Sequence, residues 1–263
     1  MAGLIWHHRA LSRCCNNLPD MKTLILSAGQ GRRLLPLTAS RPKCLIELHG
    51  RTLLEWQLRS LATAGVREAT VLVGYGADQV EAEIAAKAPH NMSVQTIYNP
   101  FFEVADNLGS CWVAREVLQG DCLILNGDTL IEPAIVQRLL AADVQPITVT
   151  IDRKGDYDTD DMKVRTEAGL LRAIGKTLPL SEVDGESIGF LRFTPEGAAL
   201  FVAEVERIMR TPEGLKLWYL SVIDRIAKAT GKVGTVSIEG LGWGEMDFLA
   251  DVESNTALVA NWA

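Results

Sequence analysis

The sequence predicts an α/β fold: a mostly parallel sheet covered by helices on both faces, with a smaller β-rich subregion attached. Three observations carry this reading. Before residue 146, short apolar runs that end in turn residues alternate with stretches whose apolar positions recur at helical spacing. After it, strand-like runs follow one another around tight turns. Of the 263 residues, 48% are hydrophobic and 22% charged, which supplies a large core and excludes a disordered chain.

Taken in order, Lys22 to Ala28 reads as a buried strand entering the turn Gly29-Gln30-Gly31. Leu54, Leu58 and Leu61 give Leu53 to Ala64 a helical stripe, and Gly65 suits its end. Ala69 to Val73 is a strand, Ala77 to Lys87 a helix and Ser93 to Tyr98 a strand. Asn107 is placed to cap a helix running to Leu118, stopped by Gly120. Cys122 to Leu125 leads into Asn126-Gly127-Asp128, and Pro133 fits the first turn of the next helix. Strands are then predicted at Ile147 to Ile151, Met162 to Thr166, Leu170 to Ile174, Ser187 to Phe193 and Lys232 to Ile238. Helices are predicted at Pro195 to Met209, Leu215 to Ala229 and from about Asp251, after the short segment Trp243 to Met246.

No repeat or low-complexity linker interrupts this pattern, so residues 21–263 read as one domain with a subregion around residues 150–190. Residues 1–20 read as an extension, disordered or helical, or as a consequence of start-codon choice. They lack the basic start and unbroken apolar run of a secretory signal. No stretch approaches the ~20 apolar residues of a membrane span. Five cysteines (Cys14, Cys15, Cys44, Cys111, Cys122) form no CxxC pair, and four histidines (His7, His8, His49, His90) form no zinc array, which points to a reduced, cytoplasmic protein. The net charge of -7 argues against nucleic acid as a partner, because a phosphate backbone rewards clustered positive charge. A local basic pocket for a small phosphorylated ligand remains compatible with it.

Such a pocket is the densest signal in the chain. From Ser27 to Leu45 a strand feeds a Gly-x-Gly turn, where backbone N–H groups can approach an anion closely. Arg32, Arg33 and Lys43 add positive charge, and Pro36 and Pro42 stiffen the connection. The G-x-x-x-x-G-K-[ST] phosphate loop is absent. The dinucleotide fingerprint fails because Leu34 stands where its third glycine belongs. Asp128 lies just past an apolar strand, at the carboxyl end where open sheets bind ligands, and Asp247 follows the segment GWGEM. Two carboxylates converging there would suit Mg²⁺, a hard ion that prefers oxygen ligands.

The segment SAGQGRRLLPLTASRPKCLIEL, residues 27–48, closely resembles the signature of the sugar-phosphate nucleotidyltransferase superfamily. The resemblance implies a Rossmann-like, nucleotide-diphospho-sugar transferase fold in which this loop wraps a nucleoside triphosphate. Ala28, Gly29, Gly31, Arg32, Arg33 and Lys43 would then bind nucleotide, with Arg33 and Lys43 catalytic. Gly74-Tyr75 resembles the family's G-Y turn near the nucleotide. LNGD and GEMD resemble its two metal motifs, which makes Asp128 and Asp247 the expected Mg²⁺ ligands and Asp128 a nucleotide contact. Ser27 replaces the usual alanine at similar size.

Within that superfamily, Asn107-Leu108 and Gly175-Lys176 look most like bacterial phosphocholine cytidylyltransferases and related phosphonate or polyol-phosphate enzymes. The implied partners are a nucleoside triphosphate, CTP favoured, and a small phosphorylated or phosphonate acceptor, with a homodimer left open. Asn107, Lys163, Lys176 and Glu186 are the expected acceptor-binding residues. Asp156, Asp158, Asp160 and Asp161 read either as a solvated turn or as a patch for a cationic head group. Trp112, Tyr157, Tyr219 and Trp243 read as core aromatics or as a cation–π cage. The alternatives are a sugar-1-phosphate enzyme using UTP, dTTP or GTP, and a non-catalytic regulatory homologue.

Overall fold

The computed structural model describes residues 21–262; the extension expected over residues 1–20, with Cys14, Cys15, His7 and His8, lies outside them. In chain order the elements are β1 (Lys22–Leu26), β2 (Glu47–Leu48), β3 (Arg51–Thr52), α1 (Leu53–Thr63), β4 (Glu68–Val73), α2 (Ala77–Lys87) and β5 (Ser93–Tyr98). They continue with α3 (Asn107–Val113), β6 (Cys122–Asn126), β7 (Thr129–Ile131), α4 (Pro133–Ala141), β8 (Ile147–Asp152), β9 (Lys163–Glu167) and β10 (Leu170–Ile174). The last are β11 (Gly185–Phe193), α5 (Pro195–Met209), α6 (Tyr219–Thr230), β12 (Val233–Ser237), β13 (Trp243–Glu245) and α7 (Leu249–Val259).

Nine strands form one sheet in the order β5-β4-β1-β6-β11-β8-β12-β10-β9. From β5 to β6 every pairing is parallel, the arrangement that alternating strands and helices impose. The other half is mixed. Strand β11 runs antiparallel to both β6 and β8, β12 is parallel to β8, and β9 and β10 form an antiparallel pair at the edge. Residues 150–190 therefore extend the main sheet.

Successive strand residues face opposite sides, and each side is dry. Leu24, Leu72, Ile124, Val149 and Leu191 pack under α3, α5 and α6, while Ile25, Val71, Leu123 and Leu125 pack under α1, α2 and α4. Local caps set the helix ends. The Thr52 side chain accepts from Glu55 N–H at 3.1 Å to start α1. Thr194 and Pro195 start α5, and Gly231, in the left-handed region, closes α6. Helix α3 stops at Val113, short of the expected Leu118, and Asp106, one residue before Asn107, holds its N-cap position. The stretch expected to be helical from Leu215 gives only a short 3₁₀ turn before α6 begins at Tyr219.

A third, smaller core positions the site. Leu34, Ile46, Leu48, Leu53, Trp56, Leu130, Met246 and Val259 pack together away from the main sheet. Strands β7 and β13 pair antiparallel beside this core, with Glu245 opposite Thr129. Sequence patterning does not show this ribbon, because each strand has only three residues.

Candidate active site

Strand β4 lies on one side of β1 and β6 on the other, so the chain reverses its winding direction between β1 and β6. The loop after β1 and the turn after β6 diverge there and leave a crevice, the usual ligand site of open α/β sheets. It is a cleft of about 270 Å³ lined by Ala28, Gly29, Gly31, Lys43, Asn107 and Asp128, among others. Gly31 adopts φ 75°, and a Cβ there would lie 2.9 Å from the Lys43 Cβ, so only glycine lets the lysine chain pass alongside. A Cβ on Gly127 would come within 2.3 Å of the Leu26 carbonyl oxygen, so glycine also holds the Asp128 turn against the end of β1.

Four charged side chains meet at this crevice. Lys43 Nζ donates to Asp128 Oδ2 at 2.7 Å and to Asp247 Oδ1 at 2.9 Å, and Arg33 lies 3.4 Å from Asp247 Oδ2. Burial works against the Lys43 charge, but the Asp128 and Asp247 carboxylates outweigh it and hold the ammonium above the ordinary lysine range. Each charged group is mounted beside a residue of the third core: Leu34 follows Arg33, Met246 precedes Asp247, and Ile46 and Leu130 lie within three positions of Lys43 and Asp128. Two carboxylates sharing one ammonium at 2.7 and 2.9 Å repel each other by roughly 3 kcal/mol at an effective dielectric constant near 20. Burying one leucine gives roughly 1.5–3 kcal/mol, so this core outweighs the repulsion and holds the pair converged.

Backbone contacts complete the mount. Gln57, fully buried on α1, donates from Nε2 to the carbonyls of Asn126 and Thr129, both at 2.8 Å, and so clamps the turn that carries Asp128. Asp251 accepts from the N–H groups of Asp247 and Phe248 at 2.8 and 2.7 Å. Neither role is visible in the sequence, although the acidic start expected for the last helix marks Asp251. Glu245, part of the GEMD motif but not singled out by sequence, is solvent-exposed at the end of β13. Partial desolvation there, then the charges of Asp128 and Asp247, raise its carboxyl.

The donor set suits a hard divalent cation. Asp128 and Asp247 offer oxygen ligands to a spot that already holds one positive charge, the Lys43 ammonium. No group of three or more His, Cys, Asp or Glu donors with metal-site geometry occurs among the described residues. Two carboxylates plus substrate phosphate oxygens is the way Mg²⁺ is commonly held.

The other expected site residues are placed as follows. Arg32 is exposed and forms no ion pair among the described residues. Gly74 and Tyr75 stand behind the loop as a brace: Tyr75 N–H donates to Ala28 O at 3.0 Å and its hydroxyl to Ala39 O at 2.7 Å. Asn107 lines the cleft and accepts from the Tyr219 N–H at 2.9 Å. Lys163 is buried, its ammonium donating to the carbonyls of Asp158 and Lys176, so it pins a loop instead of facing the cleft. Lys176 reaches Asp160 at 3.0 Å. Glu186 is buried with Lys154 at 3.0 Å. The four aromatics do not form one cage. Tyr219 is fully buried against Phe201, Trp243 donates to Asp152 at 2.7 Å, and Trp112 and Tyr157 pack against Arg115 and Lys154. Cys44, Cys111 and Cys122 are buried free thiols, and burial pushes Cys44 and Cys122 up to about 12, which leaves them inert as nucleophiles.

Burial, only partly offset by Lys154, pushes the Glu186 carboxyl up to about 7 from its ordinary 4.5. The native state therefore holds this proton more tightly than the unfolded chain, and the stabilisation is present below 4.5 and lost as pH rises through about 7. Glu186→Gln, neutral throughout, is expected to gain about 5 °C in Tm over wild type between about pH 5 and pH 8. A difference that stays flat across that range would contradict the shift.

Residues 23–236 match the family model described as the MobA-like NTP transferase domain. The chain belongs to that family. Asp247 lies beyond the matched stretch, on the segment after β13. Among curated relatives, the chain is 30% identical over 240 residues to the CMP-5'-(3-aminopropyl)phosphonate synthase of Streptomyces rubellomurinus, covering 86% of this chain and 37% of that one. It is 22% identical over 254 residues to the CTP:phosphoglutamine cytidylyltransferase of Campylobacter jejuni, covering 89% and 98%. The chain spans 37% and 50% of the length of the first two curated relatives it matches. Among solved structures, the CTP:phosphocholine cytidylyltransferase of Streptococcus pneumoniae superposes with a TM-score of 0.74 at 19% identity, over 91% of this chain and 99% of that one, and so shares the fold.

Proposed function

We propose that this MobA-like NTP transferase chain transfers a cytidylyl group from CTP to a small phosphorylated or phosphonate acceptor and releases pyrophosphate. The observation that carries this reading is the convergence of Arg33, Lys43, Asp128 and Asp247 at the reversal point of the sheet. The relatives named for CTP and for phosphonate or phosphate acceptors support the choice of nucleotide and acceptor class.

In this reading an anionic acceptor oxygen attacks the α-phosphorus of CTP in line. A new P–O bond forms as the bond to the bridging α,β-oxygen breaks, and the electron pair leaves on pyrophosphate. The acceptor oxygen is already ionised near neutral pH, so the reaction needs no general base. Residues of the Ala28–Gly31 loop line the triphosphate side of the cleft. Arg33 neutralises the β/γ charge that grows on the leaving group, and Lys43 turns from the carboxylate pair to the α-phosphate, whose charge builds in the transition state. Asp128 and Asp247 would hold Mg²⁺, which when bound neutralises and orients the triphosphate oxygens.

The test is a pyrophosphate-release matrix of CTP, UTP, dTTP, GTP and ATP against phosphocholine, a 2-aminoalkylphosphonate and hexose 1-phosphates, with and without Mg²⁺. Release with CTP and a phosphocholine- or phosphonate-type acceptor is expected. Release only with UTP, dTTP or GTP and a hexose phosphate would replace this reading by a sugar-nucleotide one, and no release in any pair would remove the enzymatic reading.

A further inference from the structure

Beside the charged cluster one carboxylate joins Arg33, which the mechanism uses, to Lys176, which it does not. Asp160 Oδ2 lies 3.2 Å from Arg33 and its Oδ1 lies 3.0 Å from Lys176. Arg33 comes from the loop after β1, while Lys176 follows β10 in the subregion at the far edge of the sheet. The carboxylate therefore ties the loop after β1 to the subregion, and it does so as a bridge: one carboxylate oxygen for each cation.

The loop that presents Asp160 is built to do so. Asp158 Oδ1 accepts from the N–H groups of Asp160 and Asp161 at 2.7 and 3.1 Å. Asp161 Oδ2 accepts in return from Asp158 N–H at 2.8 Å. Lys163 ties the Asp158 carbonyl to the Lys176 carbonyl, which keeps the loop beside Lys176. Each cation also rests on an exposed aromatic face. Lys176 Nζ lies 4.6 Å from the centre of the Trp218 ring, and Arg33 lies 5.5 Å from that of Phe248. Those stacking contacts hold the cations in place whether or not Asp160 remains between them.

We propose that Asp160 is an intramolecular occupant of the substrate's anion positions: its carboxylate competes with substrate phosphoryl oxygens for Arg33 and Lys176, and binding of substrate displaces it. This rests on the role given to Arg33 in the reading above and on Lys176 as the acceptor-binding residue that the resemblance implies. Asp160 thus acts through these two cations and sets how much phosphate is needed to load the site. The Lys176 ammonium, and less strongly Arg33, keep its carboxyl below the ordinary range, so it stays ionised and able to compete.

The test compares the full chain with its Asp160→Asn, Asp160→Glu and Asp156→Asn variants. Asp156 is an exposed acid in the same loop, four residues away, and makes no contact with either cation among the described residues. The readout is the dissociation constant of inorganic pyrophosphate and of inorganic phosphate by calorimetry, with the KM and kcat of cytidylyl transfer beside it. Losing two exposed ion pairs predicts about three- to tenfold tighter pyrophosphate and phosphate binding in Asp160→Asn, with lower KM and little change in kcat. Asp156→Asn is expected to stay within about twofold of wild type, and Asp160→Glu to recover most of the wild-type values. Equal tightening in Asp156→Asn and Asp160→Asn would reduce the effect to net charge and overturn the proposal, as would unchanged or weaker binding in Asp160→Asn. Tighter binding without transfer from any nucleotide would uphold the displacement while removing the enzymatic reading. Normal transfer with unmoved anion binding would do the opposite.

Discussion

Lys43→Ala is expected to lower the proposed cytidylyl transfer roughly 10²- to 10³-fold, the usual cost of removing one preorganised donor from a transition-state charge. The fold should persist, because Leu34, Ile46, Leu130 and Met246 remain packed whatever side chain stands at position 43. What changes is the electrostatics of Asp128 and Asp247, which share the Lys43 ammonium at 2.7 and 2.9 Å. Without it two converged carboxylates face each other uncompensated, so Tm should fall in metal-free buffer and recover on adding Mg²⁺ by more than wild type does. Asp128→Ala is expected to lose most turnover and to show no such recovery. Near-normal turnover in both variants would sink the assignment of the site.

The second large effect is expected from Gln57→Leu. This amide touches no charged group of the site, yet its Nε2 holds the two carbonyls that flank Gly127 and Asp128. Leucine fills similar space and leaves both carbonyls buried without a donor, at about 1–3 kcal/mol each. Tm should drop by about 10 °C, and kcat should fall at least tenfold at temperatures where the variant is still folded. Ser60→Ala is the control. Ser60 lies on the same helix and donates to the Ile131 carbonyl at 2.7 Å, further along β7. It should lose stability but keep turnover. If Gln57→Leu retains full kcat while folded, the clamp does not position Asp128.

These two residues also mark what could be read from sequence. Lys43 was legible because its chemistry is local: a strand, a Gly-x-Gly turn and a Pro-Lys pair lie within a short stretch. Asp128 was legible as the first acid past an apolar strand, and the alternation of strands and helices before residue 146 fixed the parallel half of the sheet. Gln57 was not legible, since on its own helix it reads as one more polar residue and its partners are about 70 positions away. The same holds for Asp160, whose link to Arg33 spans 127 positions, and which sequence showed only as one acid among four. Lys163 was misleading for a related reason. Sequence put Lys163 among the acceptor-binding residues, whereas the turn made by Asp158 and Asp161 folds its ammonium inward onto backbone carbonyls. The mixed half of the sheet escaped because β11 enters between β6 and β8, a choice made by the register of distant strands.

The ribbon of β7 and β13 has a consequence for synthesis. Lys43 and Asp128 leave the ribosome well before Asp247, which follows β13. A nascent polypeptide therefore carries the Ala28–Gly31 loop and Lys43 through the synthesis of α5, α6 and β12 without the second carboxylate. The ribbon can zip only after α5, α6 and β12 have been made, so before then the Lys43 ammonium cannot be shared by two carboxylates.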